Sequence, residues 1–127
     1  MRYPEAYLRF IRLFNEGEFY EAHDVLEELW MEEGHDKFLQ ALIQLAVAYY
    51  HYDYGNVYGA RQLLTSARRY FKAASGERWG LNAFVLSDHT EKLLAALPDE
   101  RKIPMEDARR MPLPEITLIP EGCDVRF

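Results

Sequence analysis

The sequence is poor in cysteine and in basic residues. Cys123 is its one cysteine, which excludes an intrachain disulfide and a cysteine-rich zinc site. Lysine and arginine together number 15 against 21 acidic residues, so the net charge is −6. Because such a chain repels a phosphate backbone on average, nucleic acid is not an expected partner.

Long apolar runs are also lacking. The longest, residues 41–50, is interrupted by Gln44 and is too short to span a bilayer. The first ten residues carry charges and lack the apolar core of a signal peptide. We therefore expect a cytoplasmic protein with no membrane partner.

What the chain does contain is typical of one globular domain. Hydrophobic residues make up 49% and charged residues 28%. Apolar residues recur at helical spacing over the first three-quarters, which predicts an all-α fold. The expected architecture is two stacked antiparallel helical hairpins, a short fifth helix and an irregular, proline-rich C-terminal tail. The tail and the helical domain are predicted to span residues 98–127 and 1–97, respectively.

Prolines, glycines and capping residues indicate where each helix should begin and end. The first helix starts near Pro4 and ends at Gly17, where a left-handed C-cap fits. The second and third run from about 18 to 33 and from about 36 to 54. A fourth covers 57–71, and residues 74–80 form a turn or loop. Ser87-Asp88 is an N-cap signal, with Glu91 placed for a capping box, so the fifth helix should run from there to about residue 97.

The tail changes composition at Pro98. Four further prolines forbid a long helix there, whereas its apolar residues need a surface to cover. We expect residues 98–127 to lie extended on the helical domain, with at most a short strand-like piece. Coverage of a neighbouring subunit is the alternative.

Two stretches repeat a pattern 38 residues apart, EGEFYEAHDVLEELW and YGNVYGARQLLTSAR. A glycine, an aromatic and an alanine occupy matching positions, which is within the range of helical-hairpin repeats. The pattern is similar to that of tetratricopeptide hairpins, although the spacing is longer and no proline closes either unit. Any helical hairpin that needs a tight turn and close helix packing could produce it equally well.

A broader resemblance covers residues 14–64. FNEGEFYEAHDVLEELW and LIQLAVAYYHYDYGNVYGARQLL are similar to the small bacterial and archaeal proteins grouped as domain-of-unknown-function family 309. The shared residues include the Glu21-Ala22-His23 triplet, Glu27, Trp30, Gln44 and His51, and the Gly55-Asn56 turn. The resemblance implies an all-helical fold and no particular activity.

His23 and Glu27 are the candidate chemical pair. One helical turn separates them, so their Cβ atoms should lie roughly 6 Å apart. They could supply two ligands to a metal such as zinc, or act as a base and its orienting carboxylate. The third interpretation is a satisfied polar pair at the border of the core.

Helix register favours the third interpretation. If the second and third helices are antiparallel and joined near Gly34, residues at one height have numbers that sum to about 68. His23 should then contact Gln44, the polar interruption of an apolar helix, and Glu27 should lie near Gln40.

His51 falls at a different height in this register. It lies roughly 10 Å along the axis from Gln44, which argues against a metal shared with His23. We expect it beside Asn15 and the Gly17 turn instead. We expect His35 and His89 to be solvated, and Trp30 and Trp79 to be packing residues.

Two functional hypotheses follow. The first is a non-catalytic interaction or scaffold module without a cofactor, which binds a protein partner or itself. The third helix motivates it, because that helix is more apolar than two hairpins readily enclose. The alternative is a small metal- or ligand-dependent enzyme that uses His23 and Glu27. Under either hypothesis, the residues expected to line a polar or ligand-binding pocket are His23, Glu27, Trp30, Gln44, His51 and Asn56.

Overall fold

A computed structural model describes residues 3–122 of the chain, and within that range the protein is built from six helices and one two-stranded hairpin. This confirms the expected all-α class. The elements are α1 (Glu5–Asn15), α2 (Phe19–Glu32), α3 (Lys37–Asp53), α4 (Val57–Ala73), β1 (Glu77–Arg78), β2 (Leu81–Asn82), α5 (Ala83–Ala96) and α6 (Met105–Arg110).

Short turns join successive helices into antiparallel hairpins. Gly17 ends α1 with a φ of +82°, and Gly55 ends α3 with a φ of +81°. Such left-handed backbone favours glycine because a Cβ atom would clash with the following carbonyl. Asp36 then caps α3, its Oδ1 accepting hydrogen bonds from the amides of Phe38 and Leu39 at 2.8 and 3.0 Å. As expected, α1 and α2 pair, and so do α3 and α4.

The two glycine turns have the same backbone conformation. Glu18 and Asn56, which follow the glycines, have φ/ψ values of −86°/67° and −83°/78°. The helices that follow begin at Phe19 and Val57, 38 residues apart. Whether this correspondence reflects a true repeat stays a prediction.

The predicted start of the fifth helix is wrong. Helix α5 begins at Ala83, with Asn82 as its N-cap, whose Oδ1 accepts from the Val85 amide at 3.1 Å. Trp79 and Gly80 have φ values of 53° and 75°, as in the tight turn of a two-residue β-hairpin. This hairpin delivers the chain to Asn82, so the helix starts several residues before the Ser87 signal.

Helix α3 lies at the centre of the domain. Nine of its residues are buried, so it packs on more than one side. Helices α2 and α4 flank it, and α6 contacts it from the C-terminal tail. The third helix is therefore covered by its own chain, and its apolar character alone no longer calls for a second subunit.

The described part of the tail, residues 98–122, lies on the helices and contains α6 rather than a strand. Leu113 and Leu118 are buried against the core. The rest of the tail, including Cys123, falls outside the described residues. No structural observation decides where a domain boundary lies, so the division at residue 97 stays a prediction. Within residues 3–122 no helix is long and apolar enough to cross a membrane.

Candidate functional site

Helix α2 carries the first of the predicted site residues. The ring of Phe19 stacks on that of Tyr49, with centroids 4.7 Å apart and planes at 11°. This contact fixes the first turn of α2 against α3, while Ala22 and Leu26 are fully buried along the same face. Tyr20 is consequently turned outwards and is 57% exposed.

His23 faces back along its own helix. Its Nδ1 lies 2.5 Å from the carbonyl oxygen of Tyr20 and therefore donates a hydrogen bond to it. The edge of the Tyr20 ring contacts the imidazole, with centroids 4.9 Å apart. Glu27 is exposed. Within residues 3–122, Glu27 forms no ion pair or hydrogen bond, so the imidazole and this carboxylate are not joined.

The expected contact between His23 and Gln44 is wrong. The Oε1 atom of Gln44 is buried and has no hydrogen-bond partner among the described residues. His23 instead uses the nearest acceptor on α2, because a carbonyl three residues earlier lies within reach of its side chain. Gln40 bonds to Lys37 at 3.5 Å rather than to Glu27.

Trp30 is a packing residue, as predicted. It is half-buried against the core, and its ring lies 4.3 Å from that of His35. His35 is exposed and has a φ of +62° in the turn before α3. The Nε1 atom of Trp30 is buried and lacks a hydrogen-bond partner within the part of the chain that the structure describes.

His51 and Asn56 form a pair at the end of α3. The Nδ2 of Asn56 donates to the Nδ1 of His51 at 3.2 Å, while its Oδ1 accepts from the Gly59 amide at 2.9 Å. Asn56 thus caps α4 and also holds the last turn of α3. His51 therefore bonds to Asn56, and the Asn15 side chain bonds to the tail; the expected position of His51 beside Asn15 and the Gly17 turn stays a prediction.

Those polar residues are therefore distributed over separate local contacts. Whether any of them binds a ligand stays a prediction. Among residues 3–122, no group of three or more histidine, cysteine, aspartate or glutamate residues is arranged to hold a metal ion.

An aromatic cavity lies beside His23 where α2 begins and α3 ends. Tyr20, Tyr50, Tyr54 and Asp53 line it, and Arg109 of α6 reaches it from the tail. Its volume is about 410 Å³. The ring centroid of Tyr50 lies 5.3 Å from that of Tyr20 and 4.9 Å from that of Tyr54. We call it the tyrosine cavity.

Two groups in the tyrosine cavity have shifted pKa values. Burial raises the pKa of Asp53 above its usual value, and the positive charge of Arg109 lowers it by a smaller amount. The pKa of Tyr50 is raised by desolvation and by the neighbouring hydroxyls of Tyr54 and Tyr20. The cavity thus combines aromatic rings with a carboxylate and a guanidinium that, among the described residues, form no ion pair within 4.0 Å.

The structure contains a buried polar network around Tyr49 that was not predicted from the sequence. The hydroxyl of Tyr49 donates to the Pro114 carbonyl at 2.6 Å and accepts from Nε2 of His89 at 2.8 Å. His89 is only 9% exposed, so its expected solvation is wrong. The reason is the earlier start of α5, which turns His89 towards α3. Burial lowers its pKa; Lys92 adds to this effect and Asp88 opposes it.

Further polar side chains fasten the tail. Tyr52, one turn after Tyr49, donates to the Met111 carbonyl at 2.6 Å. Asn15 accepts from the Leu118 amide and donates to its carbonyl. Tyrosines spaced one turn apart on a buried helix were the available signal, since a buried hydroxyl requires a partner.

Comparisons with known proteins show a family resemblance and indicate no activity. Residues 7–63 match the family model described as domain of unknown function DUF309, which confirms the resemblance over that range. The uncharacterized protein YpuF of Bacillus subtilis (strain 168) is 36% identical over 75 residues, which cover 56% of this chain. The aligned part spans 43% of that protein, less than half its length. No solved structure gives a significant match.

Proposed function

We propose that this protein is a non-catalytic protein-binding module, and that a partner with a basic surface docks on α2 and its flanking turns. The observation that supports this proposal is the negative charge of residues 16–36. This segment contains nine of the 21 acidic residues of the chain and neither lysine nor arginine. The remaining twelve acidic residues share the rest of the sequence with all 15 basic ones.

These carboxylates face solvent. Eight of the nine are exposed, and Asp36, which caps α3, is half-buried. A surface of one sign attracts a partner of the opposite sign and accelerates its encounter, and it disfavours acidic competitors. We therefore name this surface, residues 16–36, the acidic face.

Apolar groups interrupt the acidic face. Tyr20 is 57% exposed and Met31 is 60% exposed. Tyrosine and methionine are enriched at the centres of protein interfaces, where they supply contact area that charged groups do not. Charge complementarity and exposed aromatic surface together favour a protein partner.

The arrangement of His23 supports binding over catalysis. Its Nδ1 is occupied by a carbonyl of its own helix, and its ring contacts Tyr20 rather than Glu27. A general base needs an orienting partner, which a backbone carbonyl can provide, but it also needs a substrate pocket in front of the free nitrogen. The tyrosine cavity lies near His23, but its lining includes Tyr20, Tyr50, Tyr54 and Asp53 and does not include His23.

In-cell photo-crosslinking tests the proposal. Tyr20 is replaced by the photoreactive amino acid p-benzoylphenylalanine in cells of the source organism, and Thr65, exposed on α4, is replaced in a control. We expect a protein with a basic surface to crosslink at position 20 and not at position 65. Mass spectrometry identifies it.

Charge reversal provides the matched comparison. Glu21→Lys with Glu28→Lys should abolish the crosslink, whereas Asp99→Lys with Glu100→Lys changes the net charge equally and should preserve it. All four positions are exposed. Equal crosslinking at positions 20 and 65, or equal loss in both charge variants, would contradict the proposal. Crosslinks solely between copies of this chain would replace the basic partner with self-association.

A further inference from the structure

We propose that the tyrosine cavity is a socket for one lysine or arginine side chain of a partner protein. This inference rests on the proposed function, because the cavity adjoins the acidic face through Tyr20. It adds the specific group that the partner inserts.

The three rings of the tyrosine cavity are in contact with one another in sequence. Tyr50 stands between Tyr20 and Tyr54, and its plane is tilted by 51° and 55° relative to theirs. All three rings line the same cavity. A cation within about 6 Å of a ring centroid is attracted by the negative face of the ring. Tyr20 and Tyr54 are both more than half exposed, so their surfaces are open to a partner.

Asp53 supplies the countercharge. Asp53 is exposed and lines the cavity; desolvation raises the pKa of its carboxyl, and the positive charge of Arg109 lowers it by a smaller amount. Among the described residues no lysine or arginine nitrogen lies within 4.0 Å of it. An incoming ammonium or guanidinium group would therefore pair with a carboxylate that lacks a close cation and would also contact aromatic faces.

The second glycine turn has a cation over its tyrosine ring, whereas among residues 3–122 no lysine or arginine lies over Tyr20 at the first. Tyr58 matches Tyr20 across the 38-residue offset, and both follow turns of the same backbone conformation. The guanidinium of Arg101 lies over the Tyr58 ring, 4.2 Å from its centroid. The chain thus covers Tyr58 with its own cation, whereas Arg109, the cation that lines the tyrosine cavity, does not lie over the Tyr20 ring.

Calorimetric titration with a defined probe tests the socket. The probe is an acetylated hexalysine peptide, and a glycine-serine hexapeptide controls for chain binding. The variant is Tyr20→Leu with Tyr54→Leu, which removes two ring faces and leaves every charge in place. Its matched control is Tyr58→Leu, a tyrosine already covered by Arg101. Circular dichroism checks that all variants keep their helix content.

We expect the double variant to bind hexalysine about tenfold more weakly than the natural protein, since each exposed ring face contributes a few-fold. Tyr58→Leu should bind as the natural protein does. Equal affinity in the double variant and the natural protein would overturn the socket, because the acidic face alone would then hold the peptide; the proposed function would stand. Tetramethylammonium chloride should displace the peptide more effectively than sodium chloride at equal ionic strength, because a quaternary ammonium ion also binds aromatic faces. Equal displacement by the two salts would overturn the aromatic socket.

Discussion

The side chain of Asn15 holds the backbone of Leu118 in both directions. Its Oδ1 accepts from the Leu118 amide at 2.8 Å, and its Nδ2 donates to the Leu118 carbonyl at 2.9 Å. The two residues are 103 positions apart in the chain. One amide at the end of α1 thus satisfies both polar groups of a buried tail residue, as a neighbouring strand would.

Asn15→Leu should lower the free energy of unfolding by about 1–3 kcal/mol, because it leaves the amide and carbonyl of Leu118 unpaired. Urea denaturation measures the change. Gln62→Leu is the control, since it removes an amide bonded only to the Tyr58 hydroxyl on an exposed surface. That control should stay within about 0.5 kcal/mol of the natural protein. An equal loss of unfolding free energy in both variants would show that the hydrogen bonds between Asn15 and Leu118 do not contribute to stability.

Tyr49→Phe should destabilise the protein by about 1–3 kcal/mol, because the Pro114 carbonyl and the Nε2–H of His89 both lose their partner. Tyr20→Phe removes a hydroxyl from an exposed ring and should change little. Thermal unfolding of the two variants gives the comparison. A smaller loss for Tyr49→Phe than for Tyr20→Phe would be incompatible with the network.

The stability of the protein should fall with acid through His89. Burial holds the pKa of His89 below its ordinary value of 6.5, so the unfolded chain takes up a proton first as the pH decreases. The stabilising contribution is therefore complete above about pH 6.5 and is lost as the pH falls towards the lower folded value. Denaturant titrations between pH 5 and pH 8 measure this slope.

His89→Gln should flatten that pH dependence, because glutamine does not titrate and its amide can still donate towards Tyr49. His35→Gln, at an exposed position, should retain the slope of the natural protein. If both variants kept the full slope, another group would be responsible for it.

Gly55→Ala should destabilise far more than Gly17→Ala, although both residues have nearly the same positive φ. A Cβ atom at position 55 would overlap the carbonyl oxygen of Ile103, whereas at position 17 it meets nothing within 4 Å. Conformational strain alone costs roughly 1–2 kcal/mol. We expect Gly17→Ala to show that cost and Gly55→Ala to exceed it clearly in urea denaturation, because residues 101–105 must also move.

Local signals predicted the helices well. The glycines at 17, 34 and 55 and the cap at Asp36 each act within a few residues, so their effect can be read directly from the sequence. The start of α5 was missed because a two-residue hairpin at Trp79 and Gly80 supplied Asn82 as a cap. The Ser87-Asp88 capping motif therefore lies inside α5 instead of at its start.

Long-range polar contacts were much less accessible. The register argument placed His23 and Gln44 at one height, but height alone does not determine the direction of a side chain. His23 bonds to a carbonyl on its own helix, and among the described residues no hydrogen bond joins it to Gln44. Likewise, no local pattern connects Asn15 with Leu118 or Tyr49 with Pro114.

The fastening of the tail has a consequence for synthesis. Tyr49 and Tyr52 bond to carbonyls 65 and 59 residues later, and Asn15 bonds to one 103 residues later. A nascent chain that has emerged only as far as α5 therefore lacks the three tail residues to which these side chains bond. The chain must close these long loops, at a cost in entropy, before the contacts can stabilise the fold. The native core is therefore completed only after the segment around residue 118 leaves the ribosome.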